Sequence, residues 1–221
     1  MNMDRLDHDI LKCKKCERLV NYRNNREVPL KFKNCKYWNK PVLGYGDING
    51  NLLVIGMAPA FNGGNRTGRI FTGDKSSDFL ISSLYEAGFT NIPTSENRND
   101  GLKYNNMYIT LAVRCAPPDN IPLKSEIANC SSYLHNEIDS MKNLKAVLCL
   151  GKLAFDSALS YLKIKKINTK KLKFINGKYY EINNIRLYSS YHPSPRNVNT
   201  KLLKKNDFIN LLRSIDNYVK S

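Results

Sequence analysis

Leu52-Leu53-Val54-Ile55-Gly56-Met57-Ala58-Pro59-Ala60-Phe61-Asn62-Gly63-Gly64-Asn65-Arg66-Thr67-Gly68-Arg69-Ile70-Phe71-Thr72-Gly73-Asp74 decides the fold of this chain. Its first four residues form an apolar run that reads as a buried strand. The rest gathers glycines, two arginines, two phenylalanines and one acid into a loop. A glycine-rich loop at the carboxyl end of a strand lets backbone N–H groups come close to a ligand. Phe71 offers a flat face for a base to stack on, and Arg66 and Arg69 suggest phosphate nearby. The loop suits a nucleotide, yet it matches none of the known phosphate-loop patterns.

Outward from this strand, residues 107–113, 146–150 and 185–191 read as three more strands. Helical spacing predicts helices over residues 76–88, 125–141, 151–162 and 200–219. The last of these puts Leu202, Leu203, Ile209, Leu212, Ile215 and Val219 on one face. A shorter helix over residues 4–20 carries Cys13 and Cys16, residues 21–50 and 90–105 read as irregular, and a hairpin over 172–185 turns at Asn176-Gly177. Strands alternating with helices predict an α/β chain, a three-layer α/β/α sandwich with a central four-stranded, mainly parallel sheet. Ligands of such folds bind outside the carboxyl ends of the strands. The sequences 56–74, 114–120 and 192–197 each follow a predicted strand, so the fold would bring them to one rim.

At 221 residues the chain fits one domain, 1–221, able to bury a full core without disulfides. Its formal charge of +16 points to a polyanionic partner. The basic residues are spread along the chain, denser at 163–173 and 201–205, as on a basic face rather than a charged tail. The early residues hold no apolar signal core, and no apolar run reaches membrane-spanning length, so a soluble cytoplasmic protein with no membrane partner is expected. Six cysteines in such a chain suggest metal or cluster ligation, or burial, rather than a disulfide frame.

His192-Pro193-Ser194-Pro195-Arg196-Asn197 is a loop stiffened by two prolines. It can hold one imidazole ready to donate a hydrogen bond to an oxygen that gains negative charge in a transition state. Cys13-x-x-Cys16 is a close pair able to grip a metal centre, with Cys115 and Cys130 able to come near. The spacing differs from ferredoxin runs, so the residues alone leave both zinc and an iron–sulfur cluster open.

The glycine loop, Arg114-Cys115-Ala116-Pro117-Pro118 and His192-Pro193-Ser194-Pro195 together resemble the uracil-DNA glycosylase superfamily, in particular its iron–sulfur family 5. The resemblance runs from Cys13 to about Asn199. It implies base excision from damaged DNA, chiefly duplex, by a monomer that hands its product to downstream repair proteins. It implies that Cys13, Cys16, Cys115 and Cys130 hold a structural 4Fe–4S cluster, with no nucleotide cofactor and with the segment of about residues 4–20 as the cluster-binding part. It places the Gly56, Met57, Ala58, Pro59 and Ala60 backbone around base and sugar, Phe71 against the flipped base, and His192 near a base oxygen. Asn65, Arg66, Arg69, Ser194, Arg196 and Asn197 are the expected DNA contacts.

Departures from that pattern shape the chemistry. Ala58 stands before Pro59, where other families carry an acid or amide that activates water, so Asp74 becomes the candidate for that work or for stabilising the sugar cation. It reads equally well as a cap on the helix that begins near Ser76. Leu111 stands where relatives read uracil with an asparagine, which predicts a broad enzyme acting also on deaminated bases such as hypoxanthine. Asn120 is the substitute polar contact. Arg196 stands where relatives insert a leucine into the base stack. Cys149 reads as core, and Asn62 replaces a frequent histidine. No lysine lies in the three motifs, which argues against a Schiff-base lyase step. The alternative reading is a non-catalytic nucleic-acid-binding module stabilised by a metal or cluster.

Overall fold

The strands, in chain order, are β1 (Tyr45–Gly46), β2 (Leu52–Gly56), β3 (Met107–Leu111), β4 (Ala146–Leu150), β5 (Tyr179–Ile182) and β6 (Ile185–Ser190). They form one sheet in the order β1-β3-β2-β4-β6-β5. β2, β3 and β4 are buried at every position. Strands covered on both faces read as continuous apolar runs, which is why these were visible in sequence. β3, β2, β4 and β6 run parallel, and β1 and β5 add antiparallel edges. The sheet therefore has six strands rather than four. β1 is two residues long, and β5 alternates between exposed and half-buried, so neither makes an apolar run.

The computed structural model describes residues 3–221. Its helices are α1 (Met3–Leu11), α2 (Glu17–Asn25), α3 (Gly64–Thr67), α4 (Lys75–Glu86), α5 (Lys124–Ser140), α6 (Lys152–Ile164), α7 (Pro195–Asn199) and α8 (Lys205–Lys220). α4 and α8 cover one sheet face, where Leu80, Leu84, Phe208 and Leu212 pack on Val54, Ile109 and Leu148. α5 and α6 cover the other, where Leu134, Ile138 and Phe155 pack on Leu53, Ile55 and Val147. α1 and α2 build a smaller third cluster, in which Leu6, Ile10 and Leu19 meet Val113, Cys115, Cys130 and Tyr133. Among the described residues, no helix is long and apolar enough to cross a membrane.

Three expected elements differ. The first helix is two, and Cys13 and Cys16 lie in the turn between α1 and α2 rather than on a helix. The apolar spacing of Leu6, Ile10 and Leu19 does not register the break. The hairpin turns at Asn183-Asn184, both with positive φ (49° and 65°), rather than at Asn176-Gly177. Asparagine tolerates the left-handed region that a two-residue hairpin demands. The closing helix starts at Lys205, after α7 and a left-handed Lys201 (φ 59°). Leu202 is accordingly 54% exposed, and Phe208 joins the buried face.

Parallel pairing fixes where the motifs go. Gly56 at the end of β2 is in register with Leu111 at the end of β3, and Leu150 of β4 with Ser190 of β6. The loops that follow β2, β3 and β6 leave from the same edge of the sheet.

Candidate active site

A cavity of about 330 Å³ opens at that edge. Met57, Ala58, Pro59, Ala60, Ile70, Phe71 and Asp74 line it from the glycine loop, Leu111 and Asn120 from the β3 side, and His192, Ser194 and Pro195 from the loop after β6. Gly56 lies beneath: a Cβ there would stand 2.9 Å from both Leu111 Cδ2 and Phe71 Cε2. Glycine is thus what lets Leu111 and Phe71 close together behind the cavity. Phe71 holds a left-handed φ of 44°, unusual for an aromatic residue, and its ring centroid lies 6.0 Å from that of His192. Strain of this kind, of order 1 kcal/mol or more, is retained where the surroundings fix a side chain in place.

Asp74 caps α4. Its Oδ1 accepts the Ser77 N–H at 2.9 Å, and its own N–H donates to Ser77 Oγ at 3.0 Å. It also lines the cavity, so the cap and the site are one residue. Burial pushes its carboxyl above the usual value, against the pull of the backbone hydrogen bonds from Ser77 and Ser76. Burial pulls His192 down to about 4, leaving a neutral imidazole at physiological pH. Asn197 Nδ2 donates to the His192 carbonyl at 2.8 Å, and Ser194 Oγ caps α7 by accepting the Asn197 N–H at 3.3 Å. These bonds fix the proline loop.

Behind this rim, Cys13, Cys16, Cys115 and Cys130 line one small closed hollow with Leu19, Arg114 and Tyr133. Arg23 Nη1 donates to Cys115 Sγ at 2.8 Å, and Asn129 Nδ2 to Cys16 Sγ at 3.5 Å. Arg23 and Arg114 are 5% and 1% exposed. Arg114 pairs with Glu137, which also accepts from Thr110 Oγ1 at 2.6 Å. Arg23 Nε and Arg114 Nε and Nη1 are nevertheless buried without a partner. Orphaned guanidinium donors are costly unless an anion supplies acceptors, and cluster-bound thiolates would be such an anion. Among the described residues, no three His, Cys, Asp or Glu side chains converge as they do about a single metal ion. The four cysteines of one hollow and the unpartnered guanidinium donors beside them are a donor set that suits a thiolate-bound metal or cluster.

A sequence profile described as the uracil DNA glycosylase superfamily matches residues 43–215, which include the whole of this rim. The chain belongs to that superfamily. It is 41% identical over 204 residues to a type-5 uracil-DNA glycosylase of Pyrobaculum aerophilum, covering 92% of this chain and 88% of the relative. To the type-5 uracil-DNA glycosylase of Thermus thermophilus it is 36% identical, covering 90% of each chain. That of Mycobacterium leprae is 38% identical, with 88% of this chain and 86% of the relative covered. A type-4 uracil-DNA glycosylase of Saccharolobus solfataricus is similar at 29% identity over 92% of this chain and 81% of its own. Within the superfamily, the chain is a type-5 member.

For a type-5 chain, the structure sorts the expected DNA contacts. Arg196 is exposed beside the cavity. Arg69 is not available to phosphate: it is 4% exposed, and its Nη1 and Nη2 reach both oxygens of Asp100. Despite burial, that guanidinium holds the Asp100 carboxyl well below the usual carboxylate range. Asn65 is fully buried, with Nδ2 on Asn39 Oδ1 at 2.9 Å. Arg66 closes the glycine loop on itself, with Nε on the Asn62 carbonyl at 2.7 Å and Nη2 on the Gly73 carbonyl at 2.9 Å. The loop's arginines and asparagine are thus braces for its shape, correcting the expectation for Asn65 and Arg69. Asn62 accepts from Tyr37 Oη at 2.8 Å. Cys149 is core, in β4, and Cys35 is exposed outside the cysteine hollow. Lys75 and Ser76, the two residues after the glycine-loop motif, also line the cavity. The start signal of α4 at Asp74 was the cue that the next two residues would share its rim.

Proposed function

We propose that this chain is a monofunctional DNA glycosylase that flips uracil, and other deaminated bases such as hypoxanthine, out of DNA and hydrolyses the N-glycosidic bond, the first step of base excision repair. The carrying observation is one cavity walled by the glycine loop, Asn120 and His192, in a chain 36–41% identical to relatives named type-5 uracil-DNA glycosylase. A non-catalytic binding module would leave that cavity, with its strained Phe71 and half-buried Asp74, without a purpose.

The flipped base enters with Phe71 as its stacking face. As the C1′–N bond breaks, its electron pair leaves with the base, and positive charge develops on the sugar. The neutral His192 imidazole donates an N–H to a base oxygen and stabilises the departing anion without first losing a proton. Asp74, the one carboxylate at the cavity among the described residues, faces the sugar side. It stabilises the cation and orients a water whose oxygen bonds to C1′, while that water's proton passes to the carboxylate or to solvent. The apolar wall at Leu111 offers no amide to reject bases other than uracil, so recognition rests on shape, backbone groups and Asn120. Arg196 acts from the rim, on phosphate or in the gap left in the stack.

Cys13, Cys16, Cys115 and Cys130 would hold a 4Fe–4S cluster, which supplies a rigid anchor for the N-terminal segment rather than electrons, since hydrolysis transfers none. Lys75 is 84% exposed at its side chain and paired with Asp78 at 3.4 Å. A Schiff-base amine is activated by desolvation, and Lys75 has none, which supports release of an intact abasic site. The enzyme acts as a soluble cytoplasmic monomer on duplex DNA, its excess of positive charge making binding fall steeply with salt. The test is release of labelled base from duplexes holding one uracil or one hypoxanthine. Release of both without strand cleavage supports the proposal, and failure to release uracil refutes it.

A further inference from the structure

We infer that Arg18 is a positioning residue that ties the cysteine-bearing N-terminal segment to the wall of the base pocket and so sets the place of Asn120. This rests on the proposed glycosylase reading, with Asn120 as a pocket contact. Arg18 stands in α2, two residues after Cys16. Its Nε donates to Glu126 Oε1 at 2.8 Å and its Nη2 to Glu126 Oε2 at 2.7 Å, the two-pronged pairing that fixes a guanidinium in one plane. The same Nη2 reaches the Ile121 carbonyl at 3.1 Å. Glu126, 4% exposed at its side chain, also accepts the Leu123 N–H at 2.7 Å. One ion pair thus holds both the Ile121 carbonyl and the Leu123 amide, on the far side of the loop from Pro117.

That loop needs holding. Asp119 and Asn120 both sit in the left-handed region, at φ 53° and 57°. Ile121 and Leu123 are 66% and 49% exposed, so the apolar packing of this segment rests on Pro122 between them. The turn's own bonds, Asn120 N–H to Pro117 O at 3.2 Å and Ile121 N–H to Pro118 O at 2.9 Å, close it locally but do not orient it on the protein. Orientation comes from the cysteine lobe: Cys115 precedes the loop, Cys130 follows it on α5, and Arg18 clamps it from α2. Asn120 supplies a polar group on a wall that Leu111 leaves apolar. A cluster held by these cysteines would anchor the segment from which Arg18 sets the place of Asn120.

The test is a double-mutant cycle on the metal-loaded protein, comparing wild type, Arg18→Met, Asn120→Ala and the double variant. Iron content, thermal midpoint and single-turnover release of uracil and of hypoxanthine are read for each. Arg18→Met should keep its iron, lower uracil release roughly tenfold, shift the uracil-to-hypoxanthine ratio, and add nothing further in the Asn120→Ala background. Independent losses that multiply in the double variant would overturn the inference alone. Wild-type rates in Asn120→Ala would overturn the pocket role of Asn120 and the inference with it. If Arg18→Met sheds iron, Arg18→Lys decides: lysine can meet Glu126 but cannot reproduce the planar fork that also reaches Ile121. It should hold iron yet lose uracil release to the same extent, and full uracil activity in that variant would overturn the inference.

Discussion

The Asp74 carboxylate occupies the space that a side chain at residue 63 would need. Gly63 is therefore required by its neighbour, and the position couples the glycine loop to the carboxylate proposed to act at the sugar. Gly63→Ala should push the carboxylate out of its cap and away from the cavity. The expected cost is about 1–3 kcal/mol of stability, as for other overpacked sites, with uracil release reduced by roughly the 10²-fold that a displaced acid–base group costs. Denaturant melts and single-turnover assays on the same sample measure both.

Leu111, 2% exposed, lines the cavity beside Gly56. Leu111→Asn should restore an amide that pairs with uracil and rejects bases lacking the matching groups. Hypoxanthine release should fall by about tenfold or more relative to uracil release. The buried amide should cost about 1–3 kcal/mol in the free protein, where it lacks partners. Competition between the two substrates in one tube reads the ratio directly.

His192 gives stability a pH signature. Its folded-state value of about 4 lies below its ordinary 6.5. Between those values the unfolded chain binds a proton that the folded chain does not, so its contribution is full above about pH 6.5 and is lost as pH falls toward 4. His192→Asn should flatten the denaturant midpoint against pH across that window. Asp74 has the opposite sign: its raised carboxyl makes the fold relatively more stable as pH falls through its value. Asp74 must lose its proton to orient water, so the rate should fall on the acid side above the usual carboxylate range, and Asp74→Asn should remove that limb.

The cysteines should separate cleanly. Cys115→Ser, in the hollow beside Arg23, should lose iron and lower the thermal midpoint, because it removes a proposed ligand and puts a shorter, neutral hydroxyl in place of the sulfur that meets a buried guanidinium. Cys35→Ser, exposed elsewhere, should retain full iron. Iron per chain and the visible absorbance of the purified proteins give the answer.

Much of this was legible in the residues. The central parallel strands show as apolar runs because both sheet faces are covered, and the rim followed from three motifs each placed after a strand. The edges did not show, since a two-residue β1 and a half-exposed β5 carry no apolar signal. Nor does an arginine's sequence context reveal its partner. Arg69 looked like a phosphate ligand because its true partner, Asp100, lies 31 residues away. For Asp74 the sequence offers cap and catalyst as alternatives because it does not show that the start of α4 lies on the cavity rim; the structure shows the cap there and the carboxylate lining the cavity.

Single-turnover uracil release from duplex DNA, compared between wild type and Asp74→Asn, tests the central claim most directly. Asparagine caps helices as well as aspartate does, so the variant should fold and melt like wild type while releasing uracil at least about 10²-fold more slowly. Equal rates would return Asp74 to a purely structural role, and no release by wild type would contradict the glycosylase assignment itself.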